Sequence, residues 1–469
     1  MLKPFRIKKK SENEVWTGPS EDFEICRLNC GGLDVHSNLV VATIGITDAA
    51  TLGTHYIQRA FGTFKNDMDE LCGWLSSHGC ADVAMESTGK YMVPVCDALE
   101  EHGIAYIVSH PKYCRSPENH KDDWADSLHI CKMHKFNLVR ASFIPPTLIR
   151  ECRDPGRRYV KLNEEVTAEK NRFSNCMTSC CITLSQALSD PFGKTGRQIM
   201  KEILSSGKVD PERLAALVDP KCRNKDKVLE SVAGAVLKPG QCFKMKDILS
   251  HIEELEKHRD ATLAEISGRL SASEGTWSRI RTIPGIGENA ALLIISETGY
   301  DMGVWKSARQ MCFWAGLTPG SNSSNGKKKS TRITKGGHYL KPLLVQCALA
   351  AIKSKKNPCF GIKYQRLKKR KGHKKAIIAI ARMLLASIYA VISTGEDFHP
   401  IDYEKVVDGV KKARKPEKAQ AQEKSFTVQE LAEVLRTLNN GNPGSASAAD
   451  LLFAMAELAA SPEAVANPA

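Results

Sequence analysis

The sequence predicts an α/β domain, then a long α-helical hairpin or coiled-coil insertion, then a mainly α-helical C-terminal part. Three segments with alternating, β-branched character open the pattern, at residues 28–36, 38–46 and 54–64. Helix and strand patterns then alternate, at residues 66–77, 81–85, 93–102 and 104–108. Long helical periodicities follow, at residues 146–188 and 244–270. A three-stranded meander that leads into alternating helices and strands is the order of a ribonuclease H-like fold.

Composition and charge narrow the class of protein. The chain has 469 residues, which is enough for about two to four domains. Its 67 lysines and arginines exceed its 53 acidic residues, and the net charge of +14 favours a polyanionic partner. Its 16 cysteines show neither a Cys-x-x-Cys pair nor zinc-site spacing, and no signal peptide is predicted. We therefore expect a cytoplasmic protein whose thiols are reduced.

Two carboxylates lie near strand ends of the predicted domain. Asp34 belongs to the Gly-Leu-Asp-Val-His stretch of the first strand, and Glu86 follows the strand at residues 81–85. A single acid near a strand end is more often a solvated end residue than a metal ligand. In a ribonuclease H-like sheet, however, the first and fourth strands lie side by side, so we expect Asp34 and Glu86 to meet.

A second pair of acids lies in the helical segment at residues 120–136. Asp123 and Asp126 are three residues apart and therefore share a helix face. Two close carboxylates repel each other, and a cation between them relieves the repulsion. The alternative is a helix N-terminus enriched in acids by the helix dipole, with Asp122 or Asp123 as the cap. Together with Asp34 and Glu86, the pair favours a metal site.

The middle of the chain predicts two long helices that bracket a connection. Heptad-like spacing runs through residues 146–188, and one apolar stripe runs through residues 244–270. Residues 190–240 carry Pro, Gly and Lys breaks and are predicted to be irregular. An antiparallel hairpin that mediates dimerisation is favoured over a self-contained bundle.

The C-terminal part combines glycine-rich turns with basic segments. Gly285 and Gly287 lie in a helix-hairpin-helix-like turn whose N–H groups can approach a phosphate. Residues 314–337 hold a serine cluster and dense positive charge, and residues 353–375 form a second basic run. The candidate nucleic-acid-binding residues are Lys327, Lys328, Lys329, Arg332, Lys335, Lys368, Lys369 and Arg370. The alternatives are a flexible basic loop and a solvated helix face. The apolar run at residues 376–393 includes Arg382 and predicts a buried helix rather than a membrane span.

Taken in order, these motifs resemble one family, the insertion-sequence one-ten (IS-one-ten) transposases. These are bridge-RNA-guided recombinases with a RuvC-like DEDD domain, and the pilin-gene invertases are related to them. The Gly-Leu-Asp-Val-His strand, the Met-Glu-Ser-Thr-Gly strand end and the Lys-x-Asp-x-x-Asp helix match the DEDD domain. Ile-Pro-Gly-Ile-Gly, the Gly-Leu-Thr-Pro to Ile-Thr-Lys-Gly-Gly segment and the Ala-x-Ala-Arg-x-Leu-Leu helix match the transposase-type second domain. The resemblance runs from about residue 28 to residue 393.

The resemblance implies roles for individual residues. It makes Asp34, Glu86, Asp123 and Asp126 the ligands of Mg²⁺ or Mn²⁺, and it makes Ser324 the nucleophile on DNA, with Ser323 as the second choice. The chain departs from the family pattern at three positions: Asn325 replaces a glycine, Asp122 replaces the commoner threonine, and Ser127 replaces alanine.

The function that follows is a site-specific DNA recombinase or transposase of an insertion sequence. The implied partners are double-stranded DNA (the element ends and the target), a noncoding guide RNA and further copies of the chain in a homodimer or tetramer, without a membrane. One alternative is a RuvC-like structure-specific nuclease, which would use the same four acids to activate water. Another is an inactive, domesticated nucleic-acid-binding protein.

The predicted organisation has five parts. They are an N-terminal arm (1–27), the RuvC-like DEDD domain (28–145), the helical domain (146–272), the serine-bearing domain (273–398) and a linker with a helical appendage (399–469). The appendage carries no recognisable chemistry, and the alternatives for it are an interaction module and partial disorder.

Overall fold

The computed structural model describes residues 24–114 and 122–400, apart from residues 208, 221, 223, 236, 321, 325, 326 and 356. Of residues 322–324 and 327–329 it describes the backbone. The chain divides into two units, residues 1–398 and 399–469. The predicted N-terminal arm as far as residue 23, and the appendage beyond residue 400, lie outside the described residues.

The N-terminal domain is built on a mixed five-stranded sheet. Its strands are β1 (Asn29–Val35), β2 (Val40–Thr47), β3 (Thr54–Phe61), β4 (Asp82–Glu86) and β5 (Ala105–Ser109). The strand order is β3-β2-β1-β4-β5, with β1–β3 as an antiparallel meander and β4 and β5 parallel to β1. The helices are α1 (Lys65–Ser77), α2 (Met92–Glu101), α3 (Pro111–Cys114) and α4 (Asp123–Lys135). The strand and helix order is that of the predicted fold, and β1 lies beside β4 as expected.

The two faces of this sheet are covered differently. Leu33 and Val35 of β1 pack with α1 and α2 in one apolar core. Because side chains alternate along a strand, Gly32 and Asp34 lie on the opposite face. That face is covered by α4, whose backbone contacts Gly32 directly. The alternation in β1 therefore separates a structural face from the face that carries the acids.

The predicted antiparallel hairpin is formed by α5 (Thr147–Ser179) and α10 (Pro239–Arg269). The connection between them is not irregular, and that prediction was wrong. It holds four short helices, which are α6 (Leu184–Ala187), α7 (Lys194–Ser206), α8 (Pro211–Leu217) and α9 (Lys225–Ala233). They pack with the ends of α5 and α10 in an apolar core of their own. Breakers such as Pro211 begin helices here, with Asp210 as the N-cap of α8, and do not abolish them.

The C-terminal part is mainly helical, as predicted. After a single 3₁₀ turn at Ser271–Ser273, its elements are α11 (Glu274–Ile280), α12 (Glu288–Thr298), α13 (Ala308–Trp314), β6 (Asn322–Ser324), β7 (Lys327–Ser330), α14 (Leu340–Ala351), α15 (Cys359–Lys371) and α16 (His373–Thr394). Residues 314–337 are therefore not simply a flexible loop, because β6 and β7 pair as an antiparallel hairpin.

The helix-hairpin-helix-like turn lies between α11 and α12. Gly285 has a φ of +86°, and a Cβ atom there would lie 2.4 Å from the carbonyl oxygen of Cys347 in α14. This glycine is required by close packing and by its left-handed conformation. Gly287 is exposed at the start of α12, and the approach of a phosphate there stays a prediction.

The long helix α5 joins the N-terminal domain to the C-terminal part. The guanidinium of Arg157 donates to Glu297 of α12 through Nε, 2.8 Å from Oε1, and Nη2, 3.2 Å from Oε2. Arg153 contacts the same carboxylate at 3.3 Å. Gly156 lets the helices approach, because a Cβ atom there would lie 2.8 Å from Oγ of Ser296. This joint rests on half-buried charge pairing as well as apolar packing.

Helix α16 is, by length and composition, apolar enough to cross a membrane. Its apolar face, including Ile380, Leu384 and Ile388, is packed in the core of the C-terminal part. This packing fits the predicted buried helix. The 16 cysteines are all free thiols.

Candidate active site

Asp34 lies near the carboxyl end of β1, on the face of the sheet that α4 covers. Its residue exposure is only 8%, which is low for a carboxylate. Burial raises the pKa of Asp34. The charge of His36 and its hydrogen bond oppose the rise, and Asp123 and Asp126 add to it. Asp34 is therefore a desolvated acid in a field of like charges.

His36 bridges two of these acids. Its Nε2 lies 3.1 Å from Oδ2 of Asp34 and 3.3 Å from Oδ1 of Asp123. Partial burial disfavours the imidazolium, but the two carboxylates outweigh this and raise the pKa of His36. When protonated, the imidazole is a counter-charge between β1 and α4, and when neutral it offers a ligand atom to a cation.

Asp123 and Asp126 both belong to the first turn of α4. Asp122 is the N-cap, because its Oδ1 accepts a hydrogen bond from the backbone N–H of Trp124 at 3.2 Å. Asp123 is therefore released from the capping role that the sequence left open between these two residues. Both acids are half-buried, and they lie on the side of α4 that faces Asp34.

The position of α4 on the sheet is fixed by close packing and by a polar network. A Cβ atom on Gly32 would lie 2.3 Å from both the backbone nitrogen of Cys131 and the carbonyl oxygen of Ser127. The hydroxyl of the buried Ser127 lies 2.7 Å from that of Thr43 in β2. Gln58 of β3 donates to the Thr43 hydroxyl and to the carbonyl oxygen of Trp124, both at 2.8 Å. These contacts set the distance between α4 and Asp34.

Glu86 ends the neighbouring strand β4. Leu33 is paired with Met85 in the parallel register of β1 and β4, so Asp34 and Glu86 are the next residues along each strand. Burial raises the pKa of the Cys114 thiol, the Ser109 hydroxyl lowers it in part, and the charge of Glu86 adds to the rise. Glu86 therefore lies at the same sheet edge as Asp34 and close to α3.

The donor set fits a divalent cation. One ligand atom from each of Asp34, His36 and Asp123 lies within 4.8 Å of the other two. Carboxylate oxygens suit Mg²⁺ and Mn²⁺, and crowded carboxylates need a counter-charge. The structure thus gathers Asp34 and Asp123 directly, with Asp126 and Glu86 beside them.

The predicted nucleophile lies on a separate sheet. Ser324 pairs with Lys327, and Ser323 with Lys328, in the two-stranded ladder of β6 and β7. The ladder continues below the hairpin, where the N–H of Gly320 donates to the carbonyl oxygen of Arg332 at 3.1 Å. The Ser324 backbone therefore has a defined place, but it is not in the sheet that carries the acids.

Two glycine-containing backbone segments lie in close contact at the base of this hairpin. A Cβ atom on Gly316 would lie 2.2 Å from the carbonyl oxygen of Gly336. The ammonium of Lys341 donates to the carbonyl oxygens of Gly336 at 2.8 Å and Thr334 at 3.2 Å. These contacts hold both ends of the serine-bearing segment together.

The basic candidates are exposed wherever their side chains are described. Lys368, Lys369 and Arg370 occupy the last turn of α15, a position that the helix dipole also favours for cations. Arg332 and Lys335 are exposed beyond β7. The side chains of Lys327, Lys328 and Lys329 lie outside the described residues.

His36 is the site residue that the sequence analysis missed. A signal was present, because His36 follows Asp34 by two residues and therefore shares its side of the chain. The hydrogen bond to Asp123 depends on how α4 packs, and it cannot be inferred from spacing.

Comparison with known proteins agrees with this geometry. Residues 32–182 match a family described as Transposase, of the DEDD IS110 type. Residues 277–365 match the Transposase IS116/IS110/IS902 family. A protein of Sinorhizobium fredii (strain NBRC 101917 / NGR234) named "Putative transposase y4pF/y4sB" is 29% identical over 141 residues. That match covers 29% of this chain and 36% of the relative, so the chain spans about a third of that relative's length.

The two family matches fall on separate parts of the fold. The first covers the sheet with its acids and continues through α5, and the second begins in α11 and ends in α15. Both carry the same family designation, in the order expected from the motifs. The chain belongs to the IS110 family of transposases.

Proposed function

We propose that this protein is a DNA recombinase that cuts and rejoins strands through a serine nucleophile, at a site built on Asp34, Glu86, Asp123 and Asp126. The observation that supports it best is the cluster of Asp34, His36 and Asp123, whose ligand atoms lie within 4.8 Å of one another. The substrate is double-stranded DNA, the element ends and the target, and the protein acts on it in the cytoplasm.

The four carboxylates prepare the site for phosphoryl transfer. A divalent cation, Mg²⁺ or Mn²⁺, held by Asp34, Glu86, Asp123 and Asp126 would supply charge neutralisation at the scissile phosphate. Helix α4 covers that face of the sheet and shields Asp34 from bulk water on one side. His36 orients Asp34 and Asp123 relative to each other through its two contacts.

Ser324 is the proposed nucleophile. Its hydroxyl oxygen forms a bond to phosphorus as the bond from phosphorus to one sugar oxygen breaks. The serine proton passes to a carboxylate or to water, and the departing sugar oxygen keeps the electron pair and takes up a proton from water to become a hydroxyl group. The phosphoserine ester keeps the energy of the broken linkage for rejoining, which a recombinase needs and a hydrolase does not. Because Ser324 belongs to a separate sheet, the complete site must be assembled by folding or by a second protomer, and we propose a second protomer because the family resemblance implies it.

A noncoding RNA from the element's flank is the proposed guide, and the hairpin of α5 and α10 is the proposed contact between copies of the chain. Support for a nucleic-acid partner comes from the net charge of +14 and from the exposed cations at the end of α15. The proposed assembly is a homodimer or tetramer, without a membrane.

The test uses labelled DNA with the flanks of the coding region, together with RNA transcribed from them, on a denaturing gel. Wild type is expected to leave a covalent protein–DNA adduct when rejoining is blocked. Ser324→Ala should bind DNA and form no adduct. Asp34→Asn should form none either, and calorimetry should show that it binds Mn²⁺ more weakly.

Three outcomes separate the alternatives. Free nicked product that persists in both Ser323→Ala and Ser324→Ala would establish water as the nucleophile and favour a RuvC-like nuclease. An adduct lost only in Ser323→Ala would keep the mechanism and move the nucleophile by one residue. A wild type that binds DNA without cutting any would favour the inactive binding protein.

A further inference from the structure

A second group of side chains lies at the sheet edge that carries the acids. Strands β1, β4 and β5 are parallel, so their carboxyl ends meet at one edge. Glu86 of β4 is paired with Ser109 of β5. The chain that leaves Ser109 enters α3 at Pro111 within two residues. The exposed side chains of α3 are therefore close to the acidic site.

What α3 exposes is an aromatic ring between cations. The Tyr113 side chain is 40% exposed. Cζ of Arg140 lies 5.0 Å from its ring centroid, and Nζ of Lys112 lies 6.0 Å from it. The ring of His110 meets it edge-on with centroids 6.2 Å apart. We call Lys112, Tyr113 and Arg140 the tyrosine platform.

The backbone that carries the tyrosine platform is packed against the rest of the domain. Cys114, the residue after Tyr113, is buried against Ala84, Ile130 and Val139. The segment that carries Arg140 is tied to β5 by a bridge between Ser109 and Ala141. The ring and the guanidinium are therefore presented by backbone that is fixed on the sheet and on α4.

The two cations are left available for an anion. Within the part of the chain that the structure describes, neither Lys112 nor Arg140 forms an ion pair with a carboxylate. A distance of 6.0 Å is the outer limit for a cation–π contact, so the flexible Lys112 side chain can leave the ring at little cost. Exposed aromatic rings beside unpaired cations suit an unstacked base and its phosphate.

Other exposed aromatic residues surround the same edge. Trp124 is 41% exposed and lies next to Asp123 in the first turn of α4. Tyr91 is 52% exposed at the start of α2, in the segment that follows Glu86. Rings are thus exposed after β4, after β5 and at the start of α4, near Glu86 and Asp123.

We infer that the tyrosine platform binds an unpaired nucleotide of the DNA strand next to the scissile phosphate. The base stacks on Tyr113 or on the guanidinium plane of Arg140, and Lys112 contacts its phosphate. This inference rests on the proposed function for the identity of the strand. It assigns a positioning role: the platform holds the strand that the acids act on.

The test measures binding without cleavage, by fluorescence anisotropy in EDTA, with a single-stranded DNA oligonucleotide and a blunt duplex of the same sequence. Tyr113→Ala is expected to weaken single-strand binding about five- to 150-fold, the usual range for loss of one stacked base. Tyr113→Phe should retain most of the affinity, and Arg140→Ala should lose part of it. Duplex binding should change less than about twofold in each variant.

Tyr300→Ala is the matched control, because Tyr300 is 41% exposed and lies outside this edge, just after α12. An oligonucleotide with 2-aminopurine gives a second readout, since stacking quenches its fluorescence. Quenching should be present in wild type and Tyr113→Phe and absent in Tyr113→Ala. Equal single-strand affinity for Tyr113→Ala and Tyr300→Ala, or an equal loss for single strand and duplex, would overturn the inference. A Tyr113→Ala loss seen with RNA and not with DNA would overturn the assignment to the DNA strand.

Failure of this inference can be told apart from failure of the proposed function. If Asp34→Asn still forms the adduct while Tyr113→Ala loses single-strand binding, the platform stands and the acidic site does not. If adduct formation requires Asp34 but Tyr113→Ala binds single strands as tightly as wild type, the acidic site stands and the platform does not.

Discussion

Glu100 shows how one residue ties the N-terminal domain to the long helix α5. Arg150 of α5 donates two hydrogen bonds to its carboxylate, through Nη1 at 2.8 Å and Nη2 at 2.9 Å. Thr147 and Tyr106 donate to the same group. The Arg150 guanidinium and these hydroxyl groups lower the pKa of Glu100 to about 2, against the opposing effect of burial.

We expect this carboxylate to make stability depend on pH in the acid range. Its folded pKa lies below its ordinary value of 4.5, so it stabilises the fold fully above that value and progressively less as pH falls towards 2. Glu100→Gln should cost about 1–2 kcal/mol at pH 7, and the difference from wild type should shrink on acidification. Urea denaturation between pH 7 and pH 3 measures both.

Glu101→Gln is the control for this prediction. Glu101 is 59% exposed and pairs with the exposed Lys65, so its loss should change the free energy of unfolding by less than about 0.5 kcal/mol. A Glu100→Gln deficit that stays constant down to pH 3 would contradict the assignment of the acid dependence to Glu100.

At the scale of elements, Gly32 decides how closely α4 approaches β1. A Cβ atom there would meet two backbone atoms of α4 at 2.3 Å, and backbone cannot rotate away. Gly32→Ala should therefore lift α4 from the sheet and cost about 1–3 kcal/mol or more. It should also weaken Mn²⁺ binding, because Asp123 and Asp126 move with the helix. Urea denaturation and calorimetry are the measurements.

Gly73→Ala tests whether any added methyl would have this effect. Gly73 lies inside α1, and a Cβ atom there would have no neighbour within 4 Å. This variant should be as stable as wild type or about 0.5–1 kcal/mol more stable, with unchanged Mn²⁺ binding. Wild-type Mn²⁺ affinity in Gly32→Ala would show that the acids do not depend on this contact.

The elements also show which parts of the fold can be predicted from the sequence. The succession of strands and the long helices follow from periodicity. The ribonuclease H-like fold that this succession indicates then predicts that Asp34 and Glu86 are neighbours. The short helices α7–α9 do not follow from periodicity, because each is stabilised by a core that forms only when the ends of α5 and α10 meet. The contact of His36 with Asp123 depends in the same way on the packing of α4 over Gly32. Tertiary packing is the part that local patterns cannot supply.

For the whole molecule, the exposed cations at the end of α15, rather than net charge alone, should govern nucleic-acid affinity. Lys368, Lys369 and Arg370 are exposed in one helical turn, so reversing all three to glutamate should remove about three phosphate contacts. The slope of log affinity against log salt should then become shallower by about 2–3, and affinity should fall for all sequences alike. Titrations of DNA at several salt concentrations measure this.

The control changes the net charge by the same amount elsewhere. Lys225, Lys227 and Lys246 are exposed in the connection and the adjoining end of α10. Reversing these three should leave the slope nearly unchanged if the end of α15 is the binding surface. Equal slopes for the two triple variants would show that total charge alone matters.

Helix α5 packs in three separate cores. A change in its length therefore also changes which of its faces meets each core. Ile149 and Cys152 belong to the core of the C-terminal part, Leu162 and Val166 to a small core with Leu255, and Phe173 to the core at the far end. Each added residue turns the rest of an α-helix by about 100°. One extra residue near the middle would therefore turn the far end away from α10, whereas about seven in both helices would restore every face. Lengthening of this arm therefore keeps its packing when the insertion is close to a whole number of turns, about seven or eleven residues, and is made in both helices together.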